Sequence, residues 1–101
     1  MICRLKLTGP FQKSLKKLVA KDSILKNKTA KVFLILAKNP IDPSLHSHKV
    51  TTRKYGQKWS SRVTGNIRII WDYEGEALMV ILLLDIGGHT GKRKVYKTSS
   101  N

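Results

Sequence analysis

The sequence predicts an α+β domain in which two N-terminal helices pack on an antiparallel sheet, in the order β-α-α-β-β-β. Apolar and polar residues alternate near the N terminus and again from residue 59 to residue 73, which is the period of a half-buried strand. Between these segments the apolar residues recur at helical spacing. A chain of 101 residues has room for one modest core, so we expect a single domain over residues 1–101.

The first strand and the first helix follow directly from the N-terminal pattern. Ile2, Leu5 and Leu7 stand among basic residues and predict a short strand. Pro10 marks the start of a helix, and apolar residues then follow at offsets of four, seven and eight from Phe11. Lysines occupy the remaining positions, which predicts an amphipathic helix with a basic outer face.

The second helix is predicted from about Asn27, a suitable N-cap, to Lys38, because Asn39-Pro40 ends it. Its candidates for burial are Ala30, Phe33, Ile35 and Leu36. Residues 41–45 are predicted to form a loop, because they are polar and contain proline, and they lead into the His46–Val50 segment.

The C-terminal half predicts a meander of three strands. Residues 59–63 and 67–73 alternate in polarity, and a further strand is predicted from Ala77 to Ile86. This last strand is almost wholly apolar, which indicates a central position with both faces covered.

Two registers compete for the first hairpin of this meander. A two-residue Gly65-Asn66 turn would pair Val63 with Arg68 and place Arg62 on the apolar face. A three-residue loop over residues 64–66 pairs Arg62 with Arg68 instead, and binary patterning favours it. The opposite face then carries Trp59, Val63, Ile67, Ile69 and Trp71.

The predicted pairing of two arginines has a cost, because like charges directly opposite each other destabilise a sheet. A phosphate bound between them would remove that cost, and arginine holds phosphate oxygens in a planar fork. The alternative is that Arg62 and Arg68 are simply solvated, with Asp72 as the partner of one of them.

Three histidines are the candidates for proton transfer, since the unperturbed pKa of histidine is about 6.5. His89 follows two glycines in a basic segment, and His46 and His48 share a face if their segment is extended. A solvated His89 is an equal alternative. A three-histidine zinc site is a further alternative, although no other ligand of suitable spacing supports it.

Charge narrows the class of partner. Twenty Lys and Arg against six Asp and Glu give a net charge of +14, which implies an anionic partner such as nucleic acid, an acidic protein or a membrane surface. The longest apolar run is under half of a membrane span of about 20 residues, and the lone Cys3 suits a reducing compartment. We therefore expect a cytoplasmic protein without a membrane-spanning segment, and we do not include a membrane among its predicted partners.

No phosphate-binding glycine loop, no paired carboxylates at metal-binding spacing and no Gly-x-Ser-x-Gly motif occur, so we expect neither a cofactor nor a metal. RNA cleavage needs neither, because the 2′-hydroxyl is an internal nucleophile. Tyr55, Trp59 and Tyr96 stand near lysines and are candidates for base stacking. The register assigns Trp59 to the core, and Tyr96 is preferred because it lies in the tail near His89. The basic candidates beside them are Lys54 and Lys58.

Motifs along nearly the whole chain resemble the RelE/ParE superfamily of toxins from type II toxin–antitoxin pairs. The resemblance rests on Phe11-x-x-x-Leu15-x-x-Leu18, Asn39-Pro40, Leu45-x-x-His48-Lys49-Val50, Trp59-Ser60-Ser61-Arg62-Val63, Asn66-Ile67-Arg68-Ile69-Ile70-Trp71, and Leu84-Asp85-Ile86-Gly87-Gly88-His89 running to Tyr96. It implies a toxin held inactive by a cognate antitoxin. RelE-like members cut messenger RNA on the ribosome, whereas ParE-like members poison DNA gyrase, and the shared fold does not choose between them.

The resemblance also implies roles for individual residues, and these favour the ribonuclease. Arg62, Arg68, His89 and Tyr96 match the basic and aromatic positions of that branch. The predicted catalytic residues are His89, Arg62, Arg68 and His48, and the predicted substrate-binding residues are Lys49, Lys54, Lys58 and Tyr96. A gyrase inhibitor and a nucleic-acid-binding module without catalysis remain the alternatives.

Overall fold

Five strands and two helices make up the part of the chain that the computed structural model describes, residues 3–75 and 80–88. In chain order they are β1 (Arg4–Leu7), α1 (Gly9–Val19), α2 (Ser23–Lys38), a 3-10 turn (Pro43–Leu45), β2 (His48–Thr52), β3 (Gly56–Arg62), β4 (Ile67–Tyr73) and β5 (Val80–Gly88). The strands form one sheet in the order β1-β5-β4-β3-β2. The α+β class and the packing of both helices on the sheet are confirmed.

The sheet is mixed rather than antiparallel throughout. Strands β2 to β5 are antiparallel to their neighbours, as the predicted hairpins require. Strand β1 pairs parallel with β5, with Arg4 opposite Val80. Most of the chain separates β1 from β5, so no tight turn fixes their relative direction, and the hairpin pattern could not reveal it.

Both helices begin at capped residues. Thr8 Oγ1 accepts a hydrogen bond from Phe11 N at 3.3 Å and donates one to Leu83 O at 2.8 Å, which ties the start of α1 to β5. Asp22 Oδ1 accepts from Leu25 N at 2.9 Å, so α2 begins at Ser23 and not near Asn27. The earlier start was missed because Asp and Asn are equally good N-caps.

The earlier start also corrects the buried face of α2. Leu36 is fully buried as predicted, whereas Ala30 is exposed. The buried side chains of this helix are Leu25, Thr29, Val32 and Leu36. Neither helix of the described residues is long and apolar enough to cross a membrane.

Strand β2 is not among the strands that the sequence predicts. It pairs antiparallel with β3 at the edge of the sheet, and its exposed residues are mostly polar. A short edge strand buries few side chains and so carries a weak periodic signal. This strand brings His48 into the sheet, where it lies opposite Ser60.

The core lies between the sheet and the two helices. On this side of the sheet Trp71 stacks on Trp59 with ring centroids 5.5 Å apart, and Tyr73 meets Trp71 edge to face at 5.2 Å. A bulge opposite Ile70 and Trp71 shifts the register of β5 by one residue. The fully or almost fully buried residues that complete this core are Phe11, Leu36, Leu45, Ile69, Ile81, Leu83 and Ile86.

Candidate active site

The second face of the sheet, opposite α1 and α2, carries a cluster of charged and polar side chains that we call the open face. Arg62 pairs directly with Arg68, which confirms the three-residue loop between β3 and β4. Side chains alternate along a strand, and Ile69 and Trp71 point into the helix-covered core. Arg62 and Arg68 therefore share the open face.

The two arginines differ in freedom. Arg68 is half-buried, and its Nη1 donates to Thr64 O and, at 3.4 Å, to Ile67 O, so the guanidinium is held against the loop between β3 and β4. Arg62 is exposed, and its Nη2 lies 3.9 Å from the point where a side chain at Gly65 would begin. One arginine is therefore fixed in place, and the other is available to move toward a ligand.

No carboxylate neutralises either arginine among residues 3–75 and 80–88. The ion pairs of these residues join Lys6 to Glu74 and Lys58 to Asp72, each at 3.2 Å. Asp72 is thus the partner of Lys58 and not of an arginine. Arg62 and Arg68 thus lie directly opposite each other, and neither forms an ion pair with a carboxylate of the described residues, which favours binding of an anion.

His48 joins the arginines on this face because it lies opposite Ser60, two residues before Arg62. It is exposed, and it stands diagonal to Arg62, a relation in which Cα atoms are roughly 7–8 Å apart. The carbonyl oxygen of His46 lies 2.9 Å from His48 Nδ1. A carbonyl only accepts, so Nδ1 carries the proton and a neutral His48 keeps Nε2 free to accept another.

The segment before His48 is shaped by local hydrogen bonds. Asp42 Oδ1 accepts from Ser44 Oγ at 2.6 Å and from Ser44 N at 2.9 Å, which caps the 3-10 turn. The hydroxyl first, and the backbone N–H second, hold the pKa of Asp42 below its usual value. His46 then takes a left-handed conformation, with φ of 49°, that directs its carbonyl at the ring of His48.

The three predicted substrate-binding lysines do not gather at this cluster. Lys58 lies on the open face with its ammonium group at Asp72. Lys49 lies on the opposite side, with Nζ 5.1 Å from the centre of the Trp59 ring. Lys54 lies in the turn between β2 and β3, far along the sheet from Arg62.

His89 and Tyr96, the remaining predicted site residues, lie outside the described residues. Their roles stay predictions. Strand β5 reaches the cluster just before them, because Gly87 lies opposite Arg68 and Gly88 opposite Ile67. Within the described ranges no three His, Cys, Asp or Glu side chains are grouped to hold a metal, and a site that includes His89 is not tested by this.

Sequence reasoning missed the serines that surround His48. Ser60 and Ser61 are fully buried, and Ser47 Oγ lies 2.6 Å from Ser61 Oγ. Serine occurs in strands, loops and caps alike, so it gives no periodic signal. The alternation of Lys49 and Thr51 with Val50 and Thr52 was the available sign that this segment is a strand.

Comparison with known proteins gives matches in structure alone. No family model matches the chain, and no curated protein matches its sequence. The YoeB/ParE toxin from Agrobacterium tumefaciens matches with a TM-score of 0.68 and 14% identity, over 86% of this chain and 99% of that one. The E. coli DinJ–YafQ toxin–antitoxin complex matches with a TM-score of 0.65 and 16% identity, over 88% and 94%.

A copper-bound mutant toxin from Helicobacter pylori matches with a TM-score of 0.61 and 25% identity, over 88% of this chain and 96% of that one. Each of the three matches covers at least 86% of this chain. The chain therefore has the fold of these toxins, which is the fold that the resemblance to the RelE/ParE superfamily implied.

Proposed function

We propose that this chain is the toxin of a type II toxin–antitoxin pair and that it cleaves messenger RNA on the ribosome without a metal ion. The observation that carries the proposal is the open face, where Arg62 and Arg68 lie directly opposite each other and His48 stands beside them. Cationic groups and a free imidazole nitrogen are what 2′-hydroxyl attack on a phosphate requires.

The arginines would stabilise the phosphoryl group as it reacts. Attack by the 2′-oxygen gives a five-coordinate phosphorus with one more negative charge than the starting diester. Arg68 is held by the Thr64 carbonyl and so meets this charge without first being ordered. Arg62 has the freedom to close on the phosphate from the other side.

Two proton transfers complete the reaction, and His48 is suited to the first. Its Nε2 takes the proton of the 2′-hydroxyl while Nδ1 stays bonded to the His46 carbonyl. The bond from phosphorus to the 5′-oxygen breaks, and that oxygen needs a proton, which we assign to His89 from the family resemblance. The products are a 2′,3′-cyclic phosphate and a 5′-hydroxyl, so DNA is not a substrate.

The remaining predicted residues complete the RNA-binding surface in this proposal. Lys49, Lys54 and Lys58 attract the phosphate backbone of messenger and ribosomal RNA, and Tyr96 stacks on a base. The other partner is a cognate antitoxin with an acidic surface, because a net charge of +14 favours fast association with one. That assignment is supported by the DinJ–YafQ complex, in which a protein of this fold is bound to its antitoxin. A substrate on the ribosome and a cognate antitoxin would both be met in the cytoplasm, which is the localisation that we propose.

The test is to induce the chain alone in bacteria and to map new 5′ ends along translated transcripts. We expect growth arrest and cuts in register with codons. Arg62→Gln and His48→Gln should abolish the growth arrest and strongly reduce the cuts, whereas the matched variants Arg53→Gln and His46→Asn should do neither. Arg53 is exposed in the β2–β3 turn, and Asn suits the left-handed backbone at His46.

Two results would contradict the proposal. Growth arrest with intact messages and stalled cleaved DNA complexes would identify a gyrase inhibitor instead. Binding of RNA without any cleavage, unchanged by His48→Gln, would identify a non-catalytic binding module.

A further inference from the structure

A chain of hydrogen bonds runs from the core of the protein to the segment that carries His48. Trp71 Nε1 lies 2.7 Å from Ser61 Oγ, and Ser61 Oγ lies 2.6 Å from Ser47 Oγ. Ser47 Oγ in turn lies 2.7 Å from Pro40 O. Trp71 and Ser61 are fully buried, so each of their polar atoms needs a partner.

Chemistry fixes the direction of this chain. The indole N–H of Trp71 only donates, and the carbonyl of Pro40 only accepts. The Ser47 hydroxyl therefore donates to the Pro40 carbonyl. The Ser61 hydroxyl must then donate to Ser47 Oγ while it accepts from Trp71 Nε1. Every hydroxyl in the chain gives one hydrogen bond and takes one, which leaves a single arrangement of protons.

Ser47 directly precedes His48 in sequence, so the hydrogen bonds of its hydroxyl affect the open face. Ser47 directly precedes β2, and its hydroxyl contacts Ser61, which lies on the core side with Trp71, whereas His48 is exposed. Ser47 is thus held on the core side while His48 faces outward. Lys49, the next residue, also lies on the core side, over the Trp59 ring.

We propose that the hydrogen-bond chain Trp71–Ser61–Ser47–Pro40 positions His48 for proton transfer, with Ser47 and Ser61 as positioning residues. The inference rests on the proposed role of His48 as the base. Anchoring Ser47 fixes the backbone between His46 and His48, which keeps the His46 carbonyl aimed at His48 Nδ1. That bond in turn leaves Nε2 as the nitrogen that faces the substrate.

The left-handed backbone of His46 makes the anchor necessary. A non-glycine residue with φ of 49° is in a sparsely populated region, and it stays there only when its surroundings hold it. The His46 N–H also donates to Pro43 O at 3.2 Å, so the turn and the Ser47 hydroxyl hold this backbone together, and removal of the hydroxyl weakens the constraint on His46. The His48 imidazole then loses the His46 carbonyl as its acceptor and adopts several orientations.

The test combines a measurement of the His48 ring with a measurement of catalysis. We would prepare Ser47→Ala, which removes the hydroxyl, Ser47→Thr, which retains it, and Ser47→Cys, which keeps a weak donor. Ser44→Ala is the matched control, because it removes a hydroxyl of the same loop that bonds to Asp42. Nitrogen NMR of the imidazole reports which ring nitrogen carries the proton, and His48→Gln assigns the signal.

We expect His48 to be the Nδ1–H tautomer in the unmodified chain, in Ser47→Thr and in Ser44→Ala. Ser47→Ala should lose that tautomer and cleave ribosome-bound RNA more slowly by on the order of 10-fold, at unchanged RNA affinity. Ser47→Cys should fall between. If the Nδ1–H tautomer and the cleavage rate return fully in Ser47→Thr and partly in Ser47→Cys, both follow the hydrogen bond of residue 47. A general loss of stability would not depend on that bond.

An unchanged tautomer in Ser47→Ala would overturn the inference, whatever the rate of cleavage. Failure of the proposed function looks different, because the unmodified chain would then leave RNA uncut while the tautomer still responded to Ser47→Ala. The NMR signal therefore tests the anchor and the cleavage assay tests its purpose.

Discussion

The two faces of the same sheet are built on opposite principles. On the helix-covered face, Ile69 and Trp71 of β4 are fully buried among apolar and aromatic neighbours. On the open face, Arg68 of the same strand lies opposite Arg62, Asp72 forms an ion pair with Lys58, and Ile70 between Arg68 and Asp72 is fully buried. The first face contributes stability, whereas the second holds a pair of like charges that stability alone disfavours. The contrast locates the binding chemistry on the open face.

The largest effect should come from the helix-covered face. Phe11→Ala removes a fully buried ring and should lower the free energy of unfolding by about 3–5 kcal/mol. Arg62→Ala should change it by less than about 0.5 kcal/mol, or raise it, because Arg62 is exposed and opposite a like charge. Urea unfolding followed by tryptophan fluorescence measures both. An equal decrease in the free energy of unfolding in the two variants would contradict this difference between the faces.

Substitutions on the open face should affect RNA cleavage strongly although they affect stability little. Arg62→Gln should slow cleavage of ribosome-bound RNA by about 100-fold at unchanged stability, since it removes a cation from the reacting phosphate. Arg62→Lys should restore part of the rate because lysine keeps the charge without the planar fork. Single-turnover cleavage gives the rates, with Arg53→Gln as the control of equal charge. A rate for Arg62→Gln equal to that of Arg53→Gln would exclude Arg62 from the site.

The sequence predicts those features of the sheet that depend on the alternation of polar and apolar residues. The β3–β4 register followed from binary patterning, since only one loop length separates Arg62 from the apolar residues. Strand β2 was missed because an edge strand buries little, and the start of α2 was missed because Asp22 and Asn27 are equivalent caps in sequence. The parallel β1–β5 pair and the bond between Ser47 and Ser61 depend on tertiary contacts that no local pattern encodes.

A smaller effect tests whether charge on the open face governs RNA binding. Asp72→Asn removes the partner of Lys58 and should tighten RNA binding, most at low salt. Its cost in stability should stay below about 1 kcal/mol, because the side chains of this ion pair are partly exposed. Fluorescence anisotropy at several salt concentrations measures the affinity.

Glu74→Gln is the matched control for this change, since it breaks the Lys6 ion pair farther along the sheet from the arginines. It should tighten RNA binding less than Asp72→Asn does. Equal effects of the two substitutions would mean that net charge, and not the open face, determines affinity.

The smallest effect concerns the turn that leads to His46. The pKa of Asp42 is lowered by its hydrogen bonds to Ser44, so these bonds stabilise the folded chain above the unfolded pKa and are lost as pH falls through the folded pKa. Ser44→Ala should raise the pKa of Asp42 toward its usual value. The Ser44 N–H still caps the turn in this variant. Carboxyl NMR titration measures the pKa of Asp42, and an unshifted titration would show that the Ser44 hydroxyl does not lower it.

Cleavage of one RNA prepared in two forms tests whether the 2′-hydroxyl is the nucleophile. A short message bound to ribosomes would carry either a ribose or a single 2′-deoxyribose at the mapped cleavage position, with ribosomes assembled beforehand and free divalent metals limited to the magnesium they require. We predict a 2′,3′-cyclic phosphate and a 5′-hydroxyl from the ribose form and no cut at the deoxyribose. Cleavage at the deoxyribose would contradict 2′-hydroxyl attack and with it the proposed role of the open face.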